Sequence, residues 1–433
     1  MTSLQRTIAF PWPSGLAYGL LGLPLAFAAL PLYVVLPNHY SRSFGLSLAS
    51  VGALLMAVRL VDALVEPWLG RASDTLFARN VRAVLRSGGW AAAVLWLGMA
   101  GLFFPAVTPH WALAAWLVGG LLLTSIAHSL LVITHQAWGV RLGGDELQRG
   151  RIVAWREGLG LVGVIAASTL AVIWGPVVML AVLGMALLLG WLAWWRAPQP
   201  VPLSLPQQSA AVPLWRPLAR PEFRRLLVVF MCNGIASAIP AALMLFFAQD
   251  RLQASDRAIA IFLGLYFACG AASMPLWLRV VRSLGLARSW LLGMLLAVIC
   301  FGWAAGLGSG QVQAFAVICA LTGVALGADL ALPGALLARL IDRQGAQGQH
   351  DGAYLGWWNL ATKLNLALSV GLSLPLLQWL GYAPGSQDAQ ALQVLAWTYA
   401  LLPCGLKLLA ALLLYVLLIR REPSPALMKR SLP

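Results

Sequence analysis

The stretch RLVDALVEPWLGRASD, residues 59–74, places three ionisable side chains inside a long apolar run. Arg59, Asp62 and Glu66 follow each other at intervals of three and four residues. At ~100° per residue they lie within a narrow arc on one face of a helix. An ionised carboxylate in hydrocarbon costs at least ~2.5 kcal/mol. The spacing therefore predicts a membrane helix whose charged face is turned toward a wet interior rather than toward lipid.

The overall composition is that of a polytopic membrane protein. Of 433 residues, 61% are hydrophobic and 10% are charged, whereas soluble domains are about half apolar and about a quarter charged. The apolar run after Arg6 is far too long for a cleavable signal peptide. All five cysteines lie in apolar runs without metal-ligand spacing. We therefore expect buried thiols, no disulfide, no metal site and no cofactor.

Twelve apolar segments are long enough to cross a bilayer, at ~20 residues each. They lie near 14–37, 47–69, 88–105, 111–134, 152–174, 177–195, 225–248, 258–279, 289–308, 313–338, 354–380 and 393–419. With the N-terminus in the cytoplasm, nearly all Lys and Arg residues outside the spans fall on the cytoplasmic side, and only Arg42, Arg251 and Arg257 fall outside. The net charge of +15 is therefore a topology signal rather than a sign of nucleic-acid binding.

A Pro-rich polar segment, residues 196–225, divides these spans into two sets of six. The sequence thus predicts an all-α membrane protein with twelve transmembrane helices in two six-helix halves, the architecture of the major facilitator superfamily. We assign residues 1–195 to an N-terminal half, 196–224 to a cytoplasmic linker, 225–419 to a C-terminal half and 420–433 to a cytoplasmic tail. In that architecture the substrate site lies near mid-membrane between the halves. The Arg-rich, Lys-poor usage favours a bacterial inner membrane.

Three motifs, in this order along the chain, carry a family resemblance. The first is RLVDALVEPWLGRASD, and the second is HQAWGVRLGGDELQRGRIVAWRE, residues 135–157. The third is GAYLGWWNLATKLNLAL, residues 352–368, which contains Lys363. They resemble motifs of the glycoside–pentoside–hexuronide:cation symporters, the family of melibiose permease. In the first, Glu66 stands where that family usually has Asp, and in the second Asp145, Arg149, Arg151 and Arg156 are in register. The resemblance implies the major facilitator fold and cation-coupled symport of a sugar or glycoside.

The resemblance also implies a cation-coupling site. The acids that map onto it are Asp62 and Glu66, and its hydroxyl ligand maps near Ser129. Arg59 completes the candidate coupling site, because it lies one turn from Asp62 and can compensate one negative charge. Two further oxygen ligands of the family's Na⁺ site align with Val65 and Val132. Because Na⁺ requires several oxygen ligands and a proton requires one carboxylate, we expect H⁺ coupling rather than Na⁺ coupling, with uncoupled transport as a further alternative. A static salt-bridge network that only joins the helices is the structural alternative for these charges.

The candidate substrate-binding residues depart from the family pattern. They are Arg156, Glu157, Asp329, Asn359, Lys363 and Trp357. The family's first-helix acid aligns with Ala26, and its fifth-helix arginine aligns with Glu157 beside Arg156. The solute is therefore expected to be a small organic molecule such as a sugar or glycoside. The alternative is a lysolipid or other amphipathic solute moved by a carrier, flippase or efflux transporter. Arg156 and Glu157 could instead snorkel to the interface, and Asp329 could pair with a structural donor.

Charges on short inner loops predict a cytoplasmic gate formed by Arg71, Asp74, Arg149 and Arg151. Lys363 is expected to neutralise an acid in one state, and Lys407 is expected near the outer interface. His128 and His135, seven residues apart, favour a packing role. No nucleophile, phosphate-binding or paired-His metal motif is present, so we expect no enzyme activity. The expected partners are a small-molecule substrate and the lipid bilayer, with no nucleic acid, and we expect a monomer.

Overall fold

The computed structural model of the chain describes residues 10–32, 36, 39–40, 44, 46, 48–200, 214–343, 350–382 and 385–421. Within these ranges the regular elements are helices, and no strand occurs. The predicted linker and the predicted tail are described only in part. Arg6 and Arg42 lie outside the described residues.

The helices are named in chain order. They are α1 (Trp12–Gly19), α2 (Gly22–Leu30), α3 (Leu48–Arg79), α4 (Val81–Phe103), α5 (His110–Arg141), α6 (Glu146–Ile173), α7 (Gly175–Trp195), α8 (Pro221–Phe246), α9 (Asp256–Phe301), α10 (Val312–Arg343), α11 (Asp351–Trp379), α12 (Ala389–Ala396) and α13 (Leu402–Leu417). A π-helical turn, Phe247–Arg251, extends α8, and a second, Trp397–Leu401, joins α12 to α13.

The helices of the described ranges agree with the twelve predicted spans. Nine stretches there are long and apolar enough to cross a membrane. One of the nine, Asp256–Gly306, contains Gly285 at φ 76°, a left-handed conformation that glycine adopts without steric cost, and this residue divides α9 into two helices. The two long helices α3 and α6 are additional to the nine. With α9 counted as two spans and these two added, the number is twelve.

Side-chain caps set where the helices begin. The Asp145 carboxylate accepts a hydrogen bond from the backbone N–H of Gln148 at 2.7 Å, which satisfies one of the free donors at the start of α6. The helix therefore begins at Glu146, earlier than the predicted span near 152–174. This start places Arg149 and Arg151 in the first two turns of α6 rather than in a loop.

The chain forms two compact units. The first contains Met1–Pro217 and Ala338–Lys363, and the second contains Leu218–Leu337 and Leu364–Pro433. The core of the first unit includes the fully buried Trp138 and Trp194, whose rings lie 5.3 Å apart. In the second unit, Phe247 and Tyr399 from the two π-helical turns stack at 4.2 Å. Because Ala338–Lys363 belongs to the first unit, Lys363 and the acids of α3 lie in the same compact unit.

Candidate functional site

The acids of α3 share one lysine from α11. The ammonium of Lys363 lies 2.5 Å from the Asp62 carboxylate and also forms an ion pair with Glu66. It donates a further hydrogen bond to the Ser129 hydroxyl at 2.8 Å, and Ser129 donates to the other oxygen of Asp62 at 3.2 Å. Both acids are buried, with 2% and 1% of their surface exposed. Three helices, α3, α5 and α11, therefore meet at one charged centre.

Glycines explain how α11 comes close enough to deliver this lysine. A Cβ atom at Gly70 would collide with the carbonyl oxygen of Gly352, and one at Gly352 would collide with the carbonyl oxygen of Gly70. A Cβ atom at Gly356 would collide with the backbone of Glu66. Only glycine permits this backbone contact. The Lys363 side chain, two turns after Gly356, can consequently reach both acids.

The charges at this centre do not balance. Two carboxylates face one ammonium, so the three groups carry a net charge of −1 when all are ionised. The Glu66 Oε2 atom is buried and has no hydrogen-bond partner among the described residues. A buried charge without full compensation is costly, so this oxygen is a place where a proton would be stabilising. Arg59 is half-buried one turn before Asp62, and Lys363 forms ion pairs with both acids.

A second charged cluster lies at the predicted cytoplasmic end of α3. The Asp74 carboxylate accepts hydrogen bonds from the backbone N–H groups of Gly352 and Ala353, at 2.8 and 3.0 Å, and from Arg141 at 3.2 Å. Arg141 also pairs with Asp351 at 2.6 Å. Asp74 lies beyond the predicted span 47–69. Burial, together with the charge of Asp351, raises the pKa of the Asp74 carboxyl to about 7. The end of α3 is thus fastened to the start of α11.

The predicted gate residue Arg149 connects α6 to α10. It donates to the Asp342 carboxylate and to the Ala338 carbonyl oxygen, both at 2.8 Å. Close by, Arg339 pairs with Glu146 at 2.5 Å. These contacts fasten the start of α6 to the end of α10. The other predicted gate residues are also half-buried. Arg71 lies one turn before Asp74, and Arg151 lies two residues after Arg149. Asp342, which binds Arg149, and Arg141, which binds Asp74, were not predicted from the sequence.

Three further predicted residues of the first unit lie apart from the Lys363 centre. Arg156 pairs with the adjacent Glu157 at 2.5 Å. The Asn359 amide donates to Gln136 at 3.1 Å. These pairs hold polar side chains in place on α6 and α11.

Trp357 contacts the linker. Its indole N–H donates to the Leu214 carbonyl oxygen at 2.9 Å, and its ring lies 5.1 Å from that of Trp215. The indole nitrogen of Trp357 therefore contacts the end of the linker, and the role of Trp357 in substrate binding stays a prediction.

The remaining predicted residue, Asp329, lies in the second unit and is fully paired. Lys407 binds one oxygen at 2.6 Å, and Trp290 donates to the other at 2.9 Å. Asn233 and Ser237 donate at 3.2 and 3.4 Å. Lys407 is 8% exposed and bound to Asp329, and its position near the outer interface stays a prediction. A lysine inside the apolar run of α13 needs a buried counter-ion, and this requirement was the available signal.

The two histidines on α5 bind backbone oxygens of the first helices. His128 Nε2 lies 3.0 Å from the Leu25 carbonyl oxygen, and His135 Nε2 lies 2.8 Å from that of Tyr18. The Tyr18 hydroxyl donates back to the His135 carbonyl oxygen at 3.1 Å. These contacts agree with a packing role. In the part of the chain that the structure describes, no group of three or more His, Cys, Asp and Glu residues is arranged to hold a metal ion.

Comparison with known proteins adds a family and a fold. A family model described as MFS/sugar transport protein matches residues 15–421. The structure is similar to a crystal structure of a bacterial homologue of the iron transporter ferroportin in an outward-facing state, with a TM-score of 0.71 and 17% identity over 93% of this chain and 99% of that chain. It is also similar to the E. coli fucose:proton symporter FucP, with a TM-score of 0.66 and 14% identity over 93% of this chain and 98% of that one. No curated protein matches significantly. At these identities the solved structures show the fold alone.

Proposed function

Because the chain belongs to the MFS/sugar transport protein family, and is a multi-pass transporter rather than an enzyme, we propose that it is a cation-coupled secondary transporter. It moves a small organic solute, such as a sugar or a glycoside, together with a proton in preference to a sodium ion. The observation that carries this proposal is the pair of buried acids, Asp62 and Glu66, that shares the single ammonium of Lys363. The protein resembles the glycoside–pentoside–hexuronide symporters in this use of its second span.

The coupling follows from the charge imbalance. A proton on either acid leaves one carboxylate for one ammonium, so the centre becomes neutral. Loss of that proton restores the excess negative charge and changes the strength of the contact between α3 and α11. A ligand shifts a conformational equilibrium by its difference in affinity for the two states. Proton binding at this centre would therefore change which side of the membrane the solute site faces.

Sodium is a poorer candidate for the coupling ion. One oxygen of Asp62, one oxygen of Glu66 and the Ser129 hydroxyl already contact the Lys363 ammonium. Val65 and Val132 offer no oxygen where the resembling family has ligands. A sodium ion would have to displace the lysine and then find fewer oxygens than it prefers, whereas a proton needs one oxygen.

The clusters around Asp74 and Arg149 form the cytoplasmic gate of this proposal. They fasten the start of α11 to α3 and α5, and the end of α10 to α6. These contacts have to break before solute can leave on that side. The proposal includes cytoplasmic termini and a location in the bacterial inner membrane, as the positions of the arginines suggest.

Transport by purified protein in liposomes tests the proposal. Uptake of radiolabelled monosaccharides and disaccharides is measured under an imposed pH gradient, alkaline inside, and separately under an inward sodium gradient. We expect accumulation with the pH gradient, abolished by a protonophore and unaffected by sodium. Accumulation driven by sodium alone would refute proton coupling. Movement of a lysophospholipid without uptake of any sugar would favour the amphipathic-solute carrier instead.

A further inference from the structure

Arginines of the second unit occur in three groups along the chain. The first group lies at the start of α8, the second surrounds Gly285, where α9 divides, and the third follows α13. All are exposed except Arg225, which is half-buried, and none forms an ion pair within the described part of the chain. The eight residues are Arg220, Arg224, Arg225, Arg279, Arg282, Arg288, Arg420 and Arg421.

The first and third groups lie at the same end of the unit, because α8 and α13 are antiparallel. Phe247, just after α8, stacks on Tyr399, just before α13, with the rings 4.2 Å apart. Earlier in α8, the Cys232 thiol donates to the carbonyl oxygen of Leu406 at 3.3 Å. The contacts thus advance along α13 as they go back along α8. The start of α8, with Arg224, therefore lies beside the end of α13.

The second half of α9 is also antiparallel to α13. The rings of Phe301 and Tyr399 lie 5.2 Å apart, and the Cys404 sulfur lies 3.8 Å from the carbonyl oxygen of Val298. These contacts likewise go back along α9 as they advance along α13. The arginines around Gly285 therefore lie at the same end of the unit as the other two groups. We call these eight arginines the basic end of the second unit.

The chain supplies few acids to balance the basic end. Among the described residues, Glu222 is the acid that lies within these groups, and Asp329 in the interior is already bound by Lys407. Residues 201–213 contain no charged side chain, and residues 422–433 contain one acid against two cations. The acids at the opposite end of the unit are Asp250, Asp256 and Asp388. The counter-ions of the basic end must therefore come largely from outside the chain.

Exposed apolar side chains lie one turn from the arginines in α8, in α9 and at the end of α13. Residues three or four apart share a helix face, and exposed apolar side chains on a membrane-spanning helix contact lipid. The arginines therefore lie where lipid-facing surfaces end, at the depth of the headgroups, rather than on a surface turned toward a soluble partner. The pairs are Arg224 with Val228, Arg279 with Leu276 and Arg420 with Val416.

We propose that the basic end binds the phosphate groups of anionic phospholipids in the leaflet that it faces. The guanidinium group binds two phosphate oxygens at once, and cations at a membrane surface attract anionic lipids. A bias of cations toward one side sets topology by number alone, whereas these arginines are also exposed, convergent and poor in acid partners. The inference goes beyond the proposed transport function, since it depends neither on the solute nor on the coupling ion.

Lipid binding to the purified full-length protein in a non-ionic detergent tests the proposal. The probe is dioleoyl phosphatidylglycerol, compared with dioleoyl phosphatidylcholine, which has the same acyl chains and no net charge. The readout is the rise in the unfolding temperature with lipid concentration, which gives an apparent Kd. We expect phosphatidylglycerol to bind at least tenfold more tightly than phosphatidylcholine, and this preference to shrink as the salt concentration is raised.

A triple variant with one change in each group shows whether the basic end is responsible. Arg224→Gln, Arg282→Gln and Arg420→Gln together should raise the apparent Kd for phosphatidylglycerol about tenfold, which corresponds to ~1.4 kcal/mol. Because the three side chains are exposed, the unfolding temperature in phosphatidylcholine should match that of the parent. Lysine at the same three positions keeps the charge and should hold the affinity within about threefold of the parent.

A second triple variant controls for the loss of charge. Arg79→Gln, Arg82→Gln and Arg86→Gln remove three exposed arginines of the first unit, which follow one another in a single short segment. The affinity for phosphatidylglycerol should fall no more than about threefold. A loss as large as that of the first triple variant would show that net charge alone governs binding, and would overturn the assignment to the basic end.

Other outcomes would also refute the proposal. One is equal affinity for the two lipids, and another is equal affinity of the parent and the first triple variant for phosphatidylglycerol. Inorganic phosphate or glycerol 3-phosphate that raised the unfolding temperature as much as phosphatidylglycerol would show that the basic end takes free anions rather than lipid. None of these results bears on proton-driven uptake, so the transport proposal stands or falls separately.

Discussion

The molecule contains two buried acid–lysine centres, one in each compact unit, and they differ in their charge balance. In the first unit, Asp62 and Glu66 share Lys363. In the second, Asp329 has Lys407 to itself and three further donors as well. The same residue types therefore form one centre with excess negative charge and one that is neutral and saturated.

This difference in charge balance separates a centre that can bind a proton from one that can only stabilise the packing of its helices. The saturated centre has no excess acid, because Lys407 balances Asp329 and three further donors occupy its oxygens. The centre with two acids can take a proton without losing its lysine contact. Arg141 repeats this arrangement, since it serves both Asp74 and Asp351. Excess acid thus occurs at the centres whose charge changes in the proposed transport cycle, and balanced charge occurs at Asp329, which stabilises the fold.

The largest expected effect is on the saturated centre. Lys407→Met leaves Asp329 as a buried anion, so the free energy of unfolding should fall by ~3–5 kcal/mol. Asp329→Asn together with Lys407→Met should regain most of that loss. Lys363→Met is the matched variant of the first centre and should cost less, because the Lys363 side chain is 27% exposed against 9% for Lys407, so water can reach the acids that it leaves behind. Unfolding of the purified variants in detergent provides the measurement, and equal losses for the two lysine variants would contradict the distinction.

The next effect concerns transport rather than stability. Asp62→Asn combined with Glu66→Gln removes the proton-binding groups while it keeps the side-chain volumes. Accumulation of solute against its gradient should fall at least tenfold, or ~1.4 kcal/mol of coupling free energy. Exchange of solute down its own gradient should persist. Uptake by proteoliposomes under an imposed pH gradient measures both, and undiminished accumulation in the double variant would show that coupling lies elsewhere.

A smaller effect is expected of Asp74, whose ionisation should make the free energy of unfolding depend on pH. Its folded-state pKa of about 7 exceeds the ~3.9 of an exposed aspartate. Between these values the folded protein holds a proton that the unfolded chain has lost, so the contribution of Asp74 to stability falls as pH rises. From pH 5 to pH 7 the loss should be roughly 2 kcal/mol. The slope of the unfolding free energy against pH should flatten in Asp74→Asn, and an unchanged slope would show that Asp74 ionises freely.

The sequence predicts the all-α fold and the positions of the acids well, because both depend on local patterns. Hydrophobic runs define the spans, and the interval between Asp62 and Glu66 defines one helix face. The partners of those acids depend on packing between distant segments. Lys363 and Asp62 are separated by 301 positions, and the sequence left open whether Lys363 neutralises Asp62, Glu66 or Asp329.

Two residues show why other parts could not be predicted. Lys407 was predicted near the outer interface, and its pairing with Asp329 becomes visible only when α8, α10 and α13 bring Ser237 and Asp329 to it. Trp357 reads as a cavity residue, and its contact with Leu214 depends on where the linker ends. Compositional patterns give no information about such contacts.

The smallest expected effect tests whether the serine in the first centre matters. Ser129 accepts a hydrogen bond from Lys363 and donates one to Asp62, so it joins the two charges without altering their balance. Ser129→Ala should therefore reduce proton-driven uptake only a few-fold, consistent with the ~1 kcal/mol of a neutral hydrogen bond. Thr134→Ala is the control on the same helix, since Thr134 donates locally to the Leu130 carbonyl oxygen at 2.7 Å. If Ser129→Ala abolished coupling as completely as loss of both acids, the responsive feature of this centre would be the hydrogen-bonded chain from lysine to acid rather than the number of its charges.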